Sequence, residues 1–302
     1  MTLKLGFIGL GMMGLPMLEN LAGAEAFRIH AYDRDPQRLD RLKTHPAWGR
    51  TLLPAASLAD LAGCEVVITM LPNSTVTNAV IEGSPDAPGL AALLARGATL
   101  IDMGSSHPAD TLRLAPLLHE AGITLIDAPV SGAVAKAASG TLAIMAGGAA
   151  SDLERVRPIL SRMGATTIHT GPVGSAHAMK ALNNYVYAAG LLAASEAMLI
   201  AQGMDLDPAI FTQVLNASSG RNVATETKLA QFIVPRTFNG GFALALMAKD
   251  LRTADSLQQL AGVAAPQLSL CTTLWRQAQD TLPATSDNTE IYRYLETRHD
   301  AD

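Results

Sequence analysis

The chain has 302 residues, 49% of them hydrophobic, and a formal net charge of -5 at pH 7. At roughly 100–200 residues per domain this length fits about two domains, each able to bury a core without disulfide or metal staples. The acidic balance argues against nucleic acid or an anionic membrane as a partner. Two cysteines, Cys64 and Cys271, exclude a disulfide framework and read as reduced thiols.

The first segment, Leu5 to Leu18, is apolar, but it is broken by glycines and lacks the flanks and cleavage pattern of a signal peptide, so it reads as a strand and turn. Strands are expected at Lys4–Ile8, Arg28–Tyr32, Val66–Met70, Thr99–Asp102, Thr124–Asp127 and Leu142–Ala146, each an aliphatic run bounded by turn residues. Helices are expected between them at Gly14–Ala24, Pro36–Lys43, Ser57–Ala62 and Asp110–Ala121. Alternation of strand and helix predicts an α/β, doubly wound, Rossmann-like parallel sheet covered on both faces. Gly83–Pro88 reads as a surface loop, and no internal repeat is apparent.

Near Thr166–Gly174 the pattern changes, and the rest of the chain reads as helical. One long helix spans Gly174–Gln202, with others at Pro208–Leu215, Ala224–Val234, Leu244–Leu260, Gln267–Asp280 and Asn288–Leu295. Pro208 behind Asp207 is a helix start, and Asp287 suits the N-cap of the last helix. The expected organisation is a dinucleotide-binding domain over residues 1–167 and an all-helical domain over 168–302, opened by the long helix. The apolar stretch Ala181–Ala194 contains Asn183 and Asn184 and is too short and polar for a membrane span. With no export or lipidation motif, the expected location is the cytoplasm.

Gly9-Leu10-Gly11-Met12-Met13-Gly14 follows the first strand and opens a helix. Gly9 permits the tight turn, Gly11 lets the backbone approach a pyrophosphate, and Gly14 allows close helix–strand packing. The helix N-terminus offers free N–H groups to the anion. The second strand ends in Asp33, about 20 residues on, where a carboxylate suits the ribose hydroxyls of NAD and repels the 2′-phosphate of NADP. The neighbouring Arg34 is a guanidinium able to hold that phosphate. NAD is the expected cofactor, with NADP possible.

Between Arg162 and Glu196 the only Asp, Glu, Lys or Arg is Lys180. On a helix it shares a face with Ala176, Asn183, Asn184 and Tyr187. A helix so poor in charge is expected to be buried, and Lys180 with it. A buried ammonium needs a partner or a lowered pKa, and in the latter case it is a usable general acid/base. The alternative is a lysine whose head reaches solvent.

The chain resembles the β-hydroxyacid dehydrogenase family, and within it the 3-hydroxyisobutyrate dehydrogenases. The resemblance covers essentially the whole chain: GFIGLGMMGLPM at the start, Met70-Leu71-Pro72-Asn73, Asp127-Ala128-Pro129-Val130-Ser131-Gly132, Gly171-Pro172-Val173-Gly174 followed by Lys180 and Asn183-Asn184, Ser218-Ser219-Gly220-Arg221, and Ala248-Lys249-Asp250-Leu251. The family has Gly where this chain has Ala133, and a second Gly where it has Ala176. Asn222 to Glu226 departs from the mammalian-type enzymes. These departures bear on the substrate, not on the cofactor or reaction.

The resemblance implies that Gly9, Leu10, Gly11, Met12, Met13, Gly14 and Asp33 cradle the cofactor, with Leu71, Pro72 and Asn73 along it. It also implies Ser105 near the nicotinamide ribose and Lys249 over the nicotinamide. Ser105, Ser131 and Gly132 each follow a strand, where ligands bind in open α/β sheets. Ser105 could alternatively cap the helix at Pro108, and Lys249 could be one charge of a solvated face. Ser131, Gly132 and Ala133 form the substrate motif, and Arg221 is either a second carboxylate anchor or a surface arginine. His107, His119, His169 and His177 lack metal-ligand spacing and read as structural, so no metal is expected. The implied reaction is hydride transfer between nicotinamide and a small 3-hydroxy acid or its semialdehyde, with Lys180 exchanging the hydroxyl proton and Asn184 positioning the hydroxyl. A reductase of tartronate semialdehyde or a similar aldehyde is the alternative. Lys180 speaks against an imine reductase, and the lack of a basic cluster against a phosphorylated substrate. A non-catalytic dinucleotide sensor is more remote. The apolar long helix predicts a homodimer or homotetramer.

Overall fold

The computed structural model describes residues 2–299. The chain divides into two compact units, Met1–Lys180 and Ala181–Asp302. In the first, strands β1 (Leu3–Ile8), β2 (Phe27–Tyr32), β3 (Leu52–Pro54) and β4 (Val66–Thr69) precede a small hairpin of β5 (Gly83–Ser84) and β6 (Ala87–Pro88). Strands β7 (Thr99–Asp102), β8 (Thr124–Asp127), β9 (Val130–Ser131), β10 (Leu142–Gly147) and β11 (Gly164–Gly171) come after it. The helices are α1 (Gly14–Ala22), α2 (Gln37–Asp40), α3 (Ser74–Glu82), α4 (Leu90–Leu93), α5 (Pro108–Glu120), α6 (Ala133–Ala138) and α7 (Ala150–Leu160).

The main sheet runs β11-β10-β8-β7-β4-β1-β2-β3, with β9 pairing β10 off this path. From β8 to β3 every pairing is parallel. Both faces are covered. On one, Leu5 and Phe7 of β1 pack in a core with Met17, Leu18 and Leu21 of α1. On the other, Ile8, Val67 and Leu100 join Leu114 and Leu118 of α5. A strand buried on both sides must be apolar throughout, which is why these runs were readable in the sequence.

The sheet is not wholly parallel, contrary to the sequence reading. Strand β10 runs antiparallel to β8 and β9. After Asp127 the chain goes straight into the short strand β9, which pairs antiparallel with β10, and then α6, so the connection is used locally before β10 begins. The sequence reading also missed β3, α3, α4, α6, α7 and β11. Gly83–Pro88, taken as a loop, closes the two-stranded hairpin.

The helical half begins with α8 (Ser175–Gly203), whose first residues belong to the first unit. It continues with α9 (Pro208–Ala217), α10 (Leu244–Ala261), α11 (Pro266–Thr281) and α12 (Ile291–His299). Asp207 caps α9 by accepting from the Ala209 and Ile210 N–H groups. Asp287 and Glu290 form a reciprocal cap just before α12. Leu191, Leu251, Trp275 and Ile291 centre the core of this second unit. The segment expected as an ordinary helix over Ala224–Val234 is a π-helix at Thr225–Ile233.

Helix α8 runs 29 residues and, among the described residues, is the one helix long and apolar enough to cross a membrane by length and composition. The expectation of a stretch too short for that is therefore corrected. Its inner residues Ala188, Leu191, Leu192 and Met198 are buried in the second unit's core. Cys64 and Cys271 are free and buried. Burial pushes their thiols up to about 11 and about 12, which keeps them protonated and inert near neutral pH.

Candidate active site

Parallel strands deliver their carboxyl ends to one edge of the sheet, and the predicted cofactor residues of the first unit lie in the loops there. Gly9 follows β1 with φ +100°, and a side chain on it would strike the Met70 carbonyl. A side chain on Gly14 would collide with the Gly9 carbonyl, so the first turn of α1 sits directly on the loop. Met12 projects from that loop, 73% exposed, while Met13 packs against the core. The Leu10 N–H donates to Asp33 Oδ2 at 2.7 Å, and the Asp35 N–H donates to Oδ1 at 2.9 Å. Asp33 thereby ties the glycine loop to the end of β2, with lone pairs left for ribose hydroxyls.

The guanidinium at this loop is that of Arg38, which the sequence reading passed over. Its Nη1 lies 3.6 Å from Asp33 Oδ2 and 3.3 Å from where a Gly11 Cβ would stand. Arg34 is exposed. The missed signal was a second arginine one turn further along, on α2.

Leu71, Pro72 and Asn73 follow β4. Asn73 Oδ1 accepts from the Val76 N–H at 3.1 Å and caps α3. A Gly104 side chain would come within 2.8 Å of the Leu71 carbonyl oxygen, so the loops after β4 and β7 pack backbone to backbone. Ser105 lies in the second of these loops. The cap of α5 is His107, whose Nδ1 accepts from the Ala109 N–H at 3.1 Å. Ser105 is therefore not that helix's cap.

The substrate motif begins at Ser131, the last residue of β9. Gly132 has φ +141° and Ala133 has φ +57°. Ala133 thus holds a left-handed conformation at the position where the family has glycine, a strain of the order of 1 kcal/mol for a side chain. The aliphatic stem of Lys136 lies against Gly132 and adds a nearby cation that the sequence reading did not single out.

Behind these loops is a buried polar network. Strands β7 and β8 carry the same tetrapeptide, Thr-Leu-Ile-Asp, paired in register from Thr99↔Thr124 to Asp102↔Asp127. Asp102 accepts from Thr69 Oγ1 (2.9 Å), the Gly104 N–H (3.1 Å) and Ser106 Oγ (2.6 Å). Asp127 accepts from the Gly174 N–H (2.8 Å) and the His177 N–H (2.9 Å), and so caps the first turn of α8. An anionic group at a helix N-terminus is favoured by the helix dipole as well. Lys180 follows His177 by one turn. It is partly buried, between the buried lysine and the lysine reaching solvent that the sequence left open.

In the second unit Asn184 is 5% exposed. Its Nδ2 donates to Asp250 Oδ2 at 2.5 Å, and its Oδ1 accepts from Asn183 Nδ2 at 3.2 Å. Lys249 Nζ lies 2.9 Å from Asp250 Oδ1. Asp250 thus gathers Asn184 and Lys249, two residues singled out from the sequence, around a carboxylate that was not. Arg221 is exposed and pairs with Glu226 at 3.6 Å. On the π-helix, burial pushes the Lys228 ammonium below its ordinary value; it donates to the Gly240 carbonyl at 3.2 Å. Among the described residues no group of three His, Cys, Asp or Glu could hold a metal.

A glycine loop braced by an acidic strand end, at the carboxyl edge of a parallel sheet, defines a dinucleotide-binding unit, and its crowded glycines suit a pyrophosphate. Residues 4–171 match the family model described as the NAD binding domain of 6-phosphogluconate dehydrogenase. Residues 174–295 match the one described as NAD-binding of NADP-dependent 3-hydroxyisobutyrate dehydrogenase. The chain is 32% identical to 2-(hydroxymethyl)glutarate dehydrogenase of Eubacterium barkeri, over 91% of this chain and 88% of that one. It is 31% identical to 2-hydroxy-3-oxopropionate reductase of Escherichia coli, over 97% of each. The structure of a Mycobacterium tuberculosis 3-hydroxyisobutyrate dehydrogenase with L-serine superposes with a TM-score of 0.88, at 30% identity, covering 98% of this chain and 99% of that one. The chain belongs to the β-hydroxyacid dehydrogenase family. Its members are NAD(P)-dependent oxidoreductases of small hydroxy acids.

Proposed function

We propose that this chain interconverts a small 3-hydroxy acid and its semialdehyde, with Lys180 as general acid/base. The observation that carries the reading is the seat of Lys180. It is the sole Lys, Arg, Asp or Glu between Arg162 and Glu196, one turn beyond a helix start that Asp127 holds at the strand edge bearing the cofactor loops.

The nicotinamide, when bound, supplies the hydride chemistry. Gly9 to Gly14, including Leu10, Met12 and Met13, cradle the pyrophosphate, and Asp33 takes the ribose hydroxyls. Arg38, against Gly11 and Asp33, balances that carboxylate's bias towards NAD, so both NAD and NADP are accepted. Leu71, Pro72, Asn73 and Ser105 line the cofactor. Ser131, Gly132 and Ala133 receive the substrate carboxylate, for which the Ser131 hydroxyl and the backbone N–H groups at this strand end are suitable donors. Lys180 takes the proton from the substrate hydroxyl in oxidation and returns it in reduction. Asn184, Arg221 and Lys249 keep the roles the resemblance implies for them. The boundary expected at 167/168 falls inside β11, and the compact units divide at Lys180/Ala181 instead.

The names of the relatives agree on a primary alcohol or aldehyde on the carbon next to the one bearing the carboxylate, which supports the 3-hydroxy acid. The E. coli relative supports the reductase direction as a second reading. We place the enzyme in the cytoplasm, as a homodimer or homotetramer. Val186, Ile200 and Ile210 are 69%, 66% and 61% exposed, apolar side chains that a second copy could cover. A monomer in sedimentation at micromolar concentration refutes that.

The test is Lys180→Ala, assayed by nicotinamide absorbance with 3-hydroxy acids and semialdehydes. Loss of general acid/base catalysis predicts a fall in kcat of about 10²–10⁴-fold, with NAD(P) still bound. Near-normal turnover sinks the reading.

A further inference from the structure

His177 was expected to be an ordinary structural histidine, and its surroundings are not ordinary. Its side chain is fully buried between two carboxylates on adjacent strands. Nε2 lies 3.7 Å from Asp102 Oδ2, and Nδ1 lies 3.9 Å from Asp127 Oδ2. Thr111 Oγ1 stands 2.8 Å from Nδ1. Where that hydroxyl donates to Nδ1, rather than to the His107 carbonyl 3.3 Å away, the ring proton is on Nε2 and faces Asp102. Yet Nε2 has no hydrogen-bond partner. A buried polar atom left unpaired costs about 1–3 kcal/mol, so a chain that keeps one at such a place gains something other than stability.

The two ends of this contact show what it links. Asp102 holds the loop after β7 through the Gly104 N–H and Ser106 Oγ, with Ser105 between them. His177 lies in the first turn of α8, three residues before Lys180. We propose that Asp102 and His177 are positioning residues. They hold the loop carrying Ser105 and the turn carrying Lys180 at a set separation, across a contact that a shift of under 1 Å converts into a hydrogen bond. This rests on the reading of Lys180 as general acid/base. A misplacement of about 1 Å can cost ~10²-fold in rate, so the effect falls on kcat. Asp127 holds the same turn from the adjacent strand through the Gly174 and His177 N–H groups, and the contact with Asp102 adds the tie to the loop that carries Ser105.

The experiment uses three variants of the full chain. His177→Gln places an amide near the position of Nε2, and His177→Asn places one near Nδ1. Asp102→Asn keeps an acceptor for Gly104 but turns the face towards Nε2 into a donor. Each is measured for kcat and KM with a hydroxy acid, for NAD dissociation by fluorescence, and for Tm. The expected result is a kcat lowered about tenfold or more in His177→Asn and Asp102→Asn, with KM and NAD affinity within about twofold, and recovery in His177→Gln. Wild-type kcat in His177→Asn and Asp102→Asn overturns the proposal. So do equal losses in Asn and Gln variants that follow Tm. If His177→Asn does not fold, Asp102→Asn decides alone. Full turnover in Lys180→Ala overturns the underlying reading. A dead Lys180→Ala beside a fully active His177→Asn and Asp102→Asn overturns only the positioning role.

Discussion

Asp127 in the first unit and Asp250 in the second are both buried carboxylates, yet their partners differ in kind. Asp127 accepts from two backbone N–H groups, those of Gly174 and His177. Asp250 is held by side chains, the Asn184 amide and the Lys249 ammonium. Backbone donors cannot turn away, so Asp127 fixes where a helix begins. Side-chain donors can re-aim when a ligand arrives, so Asp250 orients groups without fixing the chain. A carboxylate in the first setting serves the fold, and in the second it orders two side chains proposed to act on the ligand.

Two substitutions test that contrast. The larger stability effect is expected from Asp127→Ala. It strands two buried N–H groups at about 1–3 kcal/mol each and removes a charge favoured by the helix dipole, a loss of about 3–5 kcal/mol in denaturant unfolding. Gly147 makes relaxation hard, since any side chain there would collide with Asp127 and approach Ser175 Oγ at 2.9 Å. The smaller effect is expected from Asp250→Ala, about 1–2 kcal/mol, because Asn184 and Lys249 can find other partners. Its kcat should nonetheless fall out of proportion to the stability lost. Equal stability losses in the two variants would break the distinction.

Much of the first unit was legible because its central strands are buried on both faces and therefore apolar without interruption. Strand β11 escaped because it is an edge strand with most of its side chains exposed, which leaves Thr166 and Thr167 in place of an apolar run. Helix α3 escaped because Thr75, Val76, Thr77, Val80 and Ile81 are β-branched and favour strands in isolation. The glycine loop and Asp33 were legible because a local turn fixes their geometry. Arg38 was not, because its approach to Gly11 depends on how α2 folds back after β2. The repeated Thr-Leu-Ile-Asp was visible in the sequence, but nothing local distinguishes a strand-end aspartate that caps a helix from one that faces solvent.

The sequence by itself determined the central strands, the helical second half, the cofactor loop, the family and the isolation of Lys180 on its helix, because each is written in local periodicity, turn chemistry or motif spacing. Only the tertiary structure decided that Asp127 caps α8, that His177 stands between Asp102 and Asp127, that Ala133 holds a left-handed turn, and that Asp250 gathers Asn184 and Lys249. Apart from Lys249, the neighbour of Asp250, and the local turn at Ala133, these partners lie far apart along the chain. Their meeting depends on strand register and helix packing, which no local pattern encodes.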